Sequence, residues 1–356
     1  MTSKIVLTGG GTAGHVTPNL ALIDALQAKG WDIHYMGSYD GVERDLISAV
    51  HIPYHPVTSG KLRRYFSWKN VIDPIKIIAG IFQSAIILAK IKPNIVFSKG
   101  GFVAFPVVVG AWLNRIPVIA HESDMSPGLA NRWSFPFARK ICVTFSSAKK
   151  HFKNQTKVEV TGTPIRQQLF HGSQERALSR CGFQADKPCV LIMGGSQGAS
   201  ILNTCVRQAL DTLLQRFQVI HLCGKGKCDA NFAARPGYYQ AEYAQEELAD
   251  YFAASQFVIS RSGANSLSEI LALQKPHILI PLSAKVSRGD QVQNARYFRE
   301  LGISVVIDEG QLTPESLLEA IQQLEINQIS IVAKIKSLGV ESATGKVMQL
   351  IKDLAC

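Results

Sequence analysis

The same short turn opens both halves of this 356-residue chain. Gly10-Gly11-Thr12-Ala13-Gly14 follows the apolar run "KIVLT", and Gly194-Gly195-Ser196-Gln197-Gly198 follows "CVLIM", 184 residues later. Both read G-G-[ST]-x-G between a strand and an expected helix. A repeated opening of this kind, in a chain too long for one ordinary core, points to two α/β units of similar plan. Short apolar runs alternate with longer amphipathic ones throughout. "KIVLT", "DIHYM", "NIVFS", "PVIAHE", "KICVTF" and "KVEVT" read as strands in the first half; "CVLIM", "QVIHLC", "FVIS", "HILIPL" and "SVVID" read as strands in the second. Near-continuous apolar runs suit parallel strands covered on both faces. The βαβα order implies two doubly wound domains. Their boundary is expected near Thr161–Arg166, where Gly162 and Pro164 stop regular structure, which gives domains at 1–163 and 164–340.

Glycine lets backbone approach a ligand closely, and a helix N-terminus just beyond it offers free N–H groups to an anion. A tight connection with no ligand is the alternative. Gly9, Gly11 and Gly14 satisfy G-x-G-x-x-G, but a dinucleotide site also wants an acid at the end of the second strand. That strand ends in Met36, Gly37 and Ser38, with Asp32 at its wrong end and Asp40 beyond it. A P-loop wants Gly-Lys-[Ser/Thr], and Gly14 is followed by His15 and Val16.

The second half carries the sharper signal. "SRSGANSLSEILALQKPHILIPL" reads strand, turn, helix, strand, with the helix starting at Gly263–Ser266 and Asn265 or Ser266 near its cap. Glu269 lies about one turn inside, where a carboxylate can accept from a ribose diol or stabilise the helix start. In "RGDQVQNA", Gln291 and Asn294 are three apart and share a helix face. Their amides fit sugar hydroxyls, or simply face solvent.

Thirty-eight Lys and Arg against 27 Asp and Glu leave a formal charge of +11, which favours anionic partners. No basic tail or aromatic-basic repeat points to nucleic acid. Seven cysteines form no CxxC pair, and an odd count argues against a disulfide framework. They read as core residues in a reducing compartment. "MTSK" runs straight into a strand, so no leader is expected. The longest apolar run, Ile77–Ala89, falls short of the roughly 20 residues of a membrane span, so no crossing is expected. There is no D-x-D pair, and "HES" is not HExxH, so no metal or other cofactor is expected.

Taken in order, "GGGTAGHVTP", "SKGGFVAFP", "HESDMSPGLANR", "GGSQGASILN", "SRSGANSLSEIL" and "GDQVQNA" resemble the MurG family of glycosyltransferases over the whole chain. The resemblance implies two Rossmann-like doubly wound α/β domains facing a cleft (GT-B), with a C-terminal helix, about 341–356, returning to the first. It implies transfer of N-acetylglucosamine from UDP-GlcNAc to the 4-hydroxyl of N-acetylmuramoyl-pentapeptide on undecaprenyl diphosphate (lipid I), with inversion, giving lipid II and UDP. On the donor side it implies Arg166 and Ser196 at the uridine ribose and diphosphate, and Gln245 at uracil. It places Ala264, Asn265, Ser266, Leu267 and Ser268 as a helix start against the diphosphate, Glu269 on the ribose hydroxyls and Gln291 on the sugar. Thr12, Ala13, Gly14 and His15 form the loop facing the sugar and acceptor, with Asp124 and Asn131 beside it. Two departures stand out: "HESD" puts Asp124 where many members have Asn in "HEQN", and "GGFVAFP" puts Phe105 where many have a smaller residue in "GGYVSGP".

A sugar hydroxyl must lose a proton as it attacks. His15, with an ordinary pKa near 6.5, is the first candidate base and Asp124 the second; His15 as a mere hydrogen-bonding group is the alternative. The leaving diphosphate would be met by helix N-termini, Ser196 and nearby arginine. The resemblance also implies a peripheral place on the cytoplasmic face of the bacterial membrane, beside cell-wall synthesis proteins. Ile75, Ile78 and Phe82 form one helical stripe, Trp112 lies in the next apolar helix, and Lys61, Arg63, Arg64, Lys69, Lys76, Lys90 and Lys92 flank them. Periodicity alone favours a core stripe. The basic flanks and the family's membrane-facing first domain favour contact with anionic lipid. Another GT-B enzyme, such as a UDP-GlcNAc 2-epimerase, or a non-catalytic UDP-sugar-binding module remain alternatives. An epimerase would convert UDP-GlcNAc without an acceptor, and a binding module would release no UDP.

Overall fold

The computed structural model describes residues 3–60, 69–195, 198–284, 287, 289–340 and 343–355. The side chains of residues 13 and 69–72 also lie outside that description. The chain divides into two compact units, Met1–Arg166 with Ser342–Cys356, and Gln167–Glu341.

The first unit runs β1 (Lys4–Thr8), α1 (Thr17–Gln27), β2 (Asp32–Gly37), α2 (Val42–Ser48), β3 (Tyr54–Pro56), α3 (Lys69–Ile91), β4 (Ile95–Ser98), α4 (Ala104–Leu113), β5 (Val118–Glu122), α5 (Leu129–Ser134), β6 (Lys140–Val143) and β7 (Val158–Val160). The strands order as β3-β2-β1-β4-β5-β6-β7, all parallel. The second unit runs α6 (Gln174–Cys181), β8 (Cys189–Met193), α7 (Ser200–Gln208), α8 (Leu210–Arg216), β9 (Gln218–Leu222), β10 (Tyr238–Ala241), α9 (Leu248–Ala254), β11 (Ser255–Ser260), α10 (Ala264–Ala272), β12 (His277–Leu279), α11 (Asp290–Glu300), β13 (Val305–Val306) and α12 (Pro314–Ser337). Its parallel sheet orders as β10-β9-β8-β11-β12-β13.

Every apolar run read as a strand is a strand. The reading missed β3 and β10, both edge strands beside the second strand of their sheet. Neither carries an apolar run: β3 is "YHP", half-buried throughout, and β10 is "YYQA", buried only at its first residue. An edge strand needs a hydrogen-bonding neighbour more than a buried side chain.

The final helix, α13 (Ala343–Ala355), belongs to the first unit. Its Val347, Met348 and Ile351 join Leu22, Ile23 and Leu26 of α1 in the core over β1 and β4. Thr344 Oγ1 accepts the Ile165 N–H at 3.1 Å, tying the helix start to the chain just before the unit ends. On the other face of this sheet α3 packs on α4, burying Ile77, Ser84 and Leu88.

Candidate functional site

Each sheet reverses strand order once, between β1 and β4 in the first unit and between β8 and β11 in the second. Open α/β sheets bind ligands beyond the strand C-termini at such a switch point, because flanking loops diverge there. Both glycine turns lie at these points.

In the first unit the turn is built from below. Glu43 of α2 is fully buried; its carboxylate accepts the Gly11 N–H at 3.1 Å, the Ser38 N–H at 3.0 Å and the Ser38 hydroxyl. Tyr35 donates its hydroxyl to Gly9 O at 2.7 Å, and Asn19 donates to that hydroxyl at 3.1 Å. The second glycine loop, after β4, interlocks with the first: Gly10 N–H donates to Gly100 O at 3.2 Å. Gly101 has φ +89°, and a Cβ there would stand 2.1 Å from Gly10 O. Only glycine permits both the conformation and the approach. His15 ends a one-turn helix, Ala13–His15, with Nδ1 3.0 Å from Thr12 Oγ1. The tautomer in which Nδ1–H donates to Thr12 leaves the basic lone pair on Nε2.

The "HESD" turn after β5 closes on itself. Buried Glu122 accepts the Asp124 N–H at 3.0 Å, the Gly128 N–H at 3.0 Å and Asn131 Nδ2 at 2.9 Å. Asn131 also donates to His121 O at 3.2 Å and is 5% exposed, so both donors of its amide act inside the turn. Asp124 is half-buried. Phe105 stacks edge-on to Trp133 at 5.7 Å and to Phe137 at 6.4 Å, and Trp112 meets Phe137 at 5.3 Å. Arg166, half-buried, draws the Asp24 carboxyl back toward its ordinary range against the burial that raises it.

In the second unit Gly195 and Gly198 take φ of +85° and +66°, and a Cβ on Gly198 would meet Cys223 O at 2.1 Å. Ser196, between them, lies outside the described residues. The start of α10 has Gly263 as its cap residue, which has no side chain to bond the first N–H groups. Ser262 Oγ donates to Gln291 O at 2.8 Å, and Asn294 Nδ2 donates to Ser262 O at 3.0 Å, so α11 is pinned beside that start. Gln291 Oε1 accepts the Leu282 N–H at 3.0 Å, which fixes the amide's orientation. Within Ala264–Ser268 the roles divide. Ala264 is buried and Asn265 and Ser266 are half-buried at the helix start, Leu267 is wholly in the core, and Ser268 donates to Ala264 O at 2.7 Å. Glu269 is 7% exposed. Gln245 is exposed, and its N–H donates to Glu247 Oε2 at 3.1 Å. Arg261 is buried, donates to Ile280 O at 3.0 Å and pairs with Glu309, so its charge is met within the unit.

Glu43, Glu122, Arg261 and Glu309 escaped the sequence reading. Glu43 and Glu122 act on backbone N–H groups and Arg261 and Glu309 on each other, and no local motif marks such a role. Among the described residues no group of three or more His, Cys, Asp or Glu is placed to hold a metal.

The stripe on α3 faces outward: Ile75 is 66% exposed and Phe82 63%, with Ile78, Ile86 and Trp112 exposed beside them. The stretch Asp73–Ile91 has mean hydropathy 1.6 and is long and apolar enough, by length and composition, to cross a membrane, contrary to the expectation from its longest apolar run. The helix outlasts that run because the run ends at Lys76 and Lys90 while the helix continues through both. Its opposite face is packed on α4, as a helix lying on the unit must be.

Two doubly wound parallel-sheet units, each with a glycine turn at its switch point, define a GT-B protein. The sequence matches the glycosyltransferase family 28 N-terminal domain over residues 5–143 and the family 28 C-terminal domain over residues 189–349. It is 62% identical, over 355 residues, to a UDP-N-acetylglucosamine–N-acetylmuramyl-(pentapeptide) pyrophosphoryl-undecaprenol N-acetylglucosamine transferase of Legionella pneumophila strain Paris, spanning 100% of this chain and 98% of the relative. A Clostridium kluyveri transferase of the same description is 51% identical over 98% of this chain and 99% of its own length. The crystal structure of MurG from Acinetobacter baumannii superposes with a TM-score of 0.77 at 25% identity, covering 99% of both chains. The chain belongs to the MurG family within glycosyltransferase family 28.

Proposed function

We propose that the protein transfers N-acetylglucosamine from UDP-GlcNAc to the 4-hydroxyl of the N-acetylmuramoyl-pentapeptide of lipid I, with inversion, giving lipid II and UDP in peptidoglycan synthesis. The observation that carries this reading is full-length identity of 62% to a transferase of that description. His15 takes the proton of the attacking hydroxyl through Nε2 as the new O4–C1 bond forms, with Asp124 as the second candidate. The bond from C1 to the diphosphate oxygen breaks on the opposite face, and the electron pair leaves with UDP. The N–H groups at the start of α10 meet that charge, preorganised so that no dipole need turn as it develops. Glu269 accepts from the ribose diol, Gln291 holds the sugar, and Thr12, Ala13 and Gly14 shape the acceptor-side turn. Arg166, Ser196 and the Gln245 backbone complete the uridine site. Asn131 belongs to the acceptor side and also braces the Asp124 turn.

The acceptor's lipid stays in a bilayer, so the enzyme works as a peripheral protein at the cytoplasmic face. The exposed stripe of α3 with Trp112 lies against anionic lipid, and cell-wall synthesis proteins are its neighbours there. The deciding experiment is UDP release from UDP-GlcNAc with and without a short-chain lipid I analogue. Release that requires the analogue, with a disaccharide product, is the expected result. Epimerisation of UDP-GlcNAc without acceptor, or binding with no turnover, would overturn the proposal.

A further inference from the structure

Lysine is rarely buried without charge or acceptors around it, because losing hydration penalises the ammonium. Lys99, directly after β4, is 1% exposed. Its Nζ donates to Ser123 Oγ, that hydroxyl lies 3.5 Å from Thr163 Oγ1, and Thr163 Oγ1 is 2.7 Å from Thr144 Oγ1. Its own N–H donates to Thr8 O at 2.8 Å. A Cβ placed on Gly9 would come within 3.1 Å of the Lys99 Cβ, and Gly100, the next residue, accepts the Gly10 N–H. One buried residue thus touches both turns that carry the candidate bases: its backbone and Cβ lie beside the glycine turn, and its ammonium reaches the turn after β5.

The groups facing it fall on three strands. Glu122 and Asp124, from β5 and its turn, attract the ammonium. His121 of β5 is held neutral, first by burial and then by the lysine itself, and the Cys142 thiol of β6 is pushed up to about 12 by burial. From β1 come Thr8 and Gly9, which do not titrate.

We propose that Lys99 is a positioning residue for the transfer reaction, its buried ammonium holding Ser123 and the Asp124 carboxylate so that the turn after β5 stays registered against the His15 turn. The inference rests on the reading of His15 and Asp124 as acceptor-side groups. Burial lowers Lys99 to about 8, with Glu122 and Asp124 pulling it back up. The cation is therefore lost as pH rises through that value. Acceptor turnover should decline on the alkaline side, although a histidine base is by then fully deprotonated.

The test is Lys99→Met, which keeps the apolar stem and removes the charge, assayed for kcat, acceptor KM and UDP-GlcNAc Kd across roughly pH 6.5 to 9.5. The expected result is a fall of about 10–100-fold in kcat/KM for the acceptor, an unchanged donor Kd, and loss of the wild-type alkaline limb. A variant with native kcat/KM, or a wild-type profile flat through pH 8, overturns the inference. Should Lys99→Met not fold, Ser123→Ala decides: removing the hydroxyl that accepts from Nζ should move the alkaline limb to lower pH, and an unmoved limb overturns it. A wild-type enzyme that releases no UDP with acceptor refutes the functional reading instead. An active wild type with an indifferent Lys99→Met refutes only the role of Lys99.

Discussion

Four buried or half-buried acids share one chemistry and do different work. Glu43 and Glu122 accept backbone N–H groups and so hold turns in shape, while Asp124 and Glu269 carry the proposed substrate roles. A carboxylate accepting from two ribose hydroxyls contributes on the order of 1.5–3 kcal/mol. Glu269→Ala should therefore weaken UDP-GlcNAc binding by about 10–100-fold in titration calorimetry, and a folded variant with native Kd would remove Glu269 from the ribose. His15→Ala should lower kcat by about 10²–10⁴ with donor Kd unchanged. A loss under about tenfold at saturating acceptor would pass the proton to Asp124. Most of the proposed contact residues were legible because glycine, histidine and helix-start chemistry leave local marks. Asn131, named as a contact, also braces the turn through its amide, a role that no motif marks.

Among the elements, α3 shows how a period can be read and still leave its direction open. It carries two apolar stripes, Ile77 and Leu88 against α4 and Ile75, Ile78, Phe82 and Ile86 outward. Helical spacing identifies each stripe, but only the packing of α4 selects the buried one. Side chains already in solvent add little to folding, so Ile75→Ser with Phe82→Ser should leave the melting temperature nearly unchanged. The same pair should sharply weaken co-sedimentation with anionic vesicles. Wild-type binding should also fall with added salt, at roughly 1 kcal/mol per basic residue near the surface. Binding that ignores salt, or a pair that unfolds, would refute the membrane role.

For the molecule as a whole, buried neutral histidines should weaken the fold on the acid side. Burial holds His277 down to about 4 and His221 to about 3, and holds His121 well below its ordinary value. Each has a depressed folded pKa, so below about pH 6.5 the unfolded chain takes up protons that the folded one refuses. Stability should then fall by about 1.4 kcal/mol per pH unit for each such histidine. His121 lies in the first unit and His221 and His277 in the second. Calorimetry between pH 7 and 5 should show both transitions falling, since burial also holds His55 and His151 of the first unit below their ordinary value. Transitions independent of pH in that range would show that these rings titrate in the fold as they do in the unfolded chain.

The sequence by itself determined the class of the protein: two parallel-sheet units, the strands that build them, and glycine turns followed by helices where a phosphate-bearing ligand can sit. These follow from local rules, since a strand buried on both faces must be apolar along its length and a close backbone approach excludes a Cβ. Tertiary structure alone decided the rest. It added β3 and β10, whose place depends on a neighbour's free edge, and it turned one stripe of α3 to solvent. It set Glu43, Glu122 and Lys99 beneath the turns, because a buried charge takes its role from groups that the chain brings near only when it is folded.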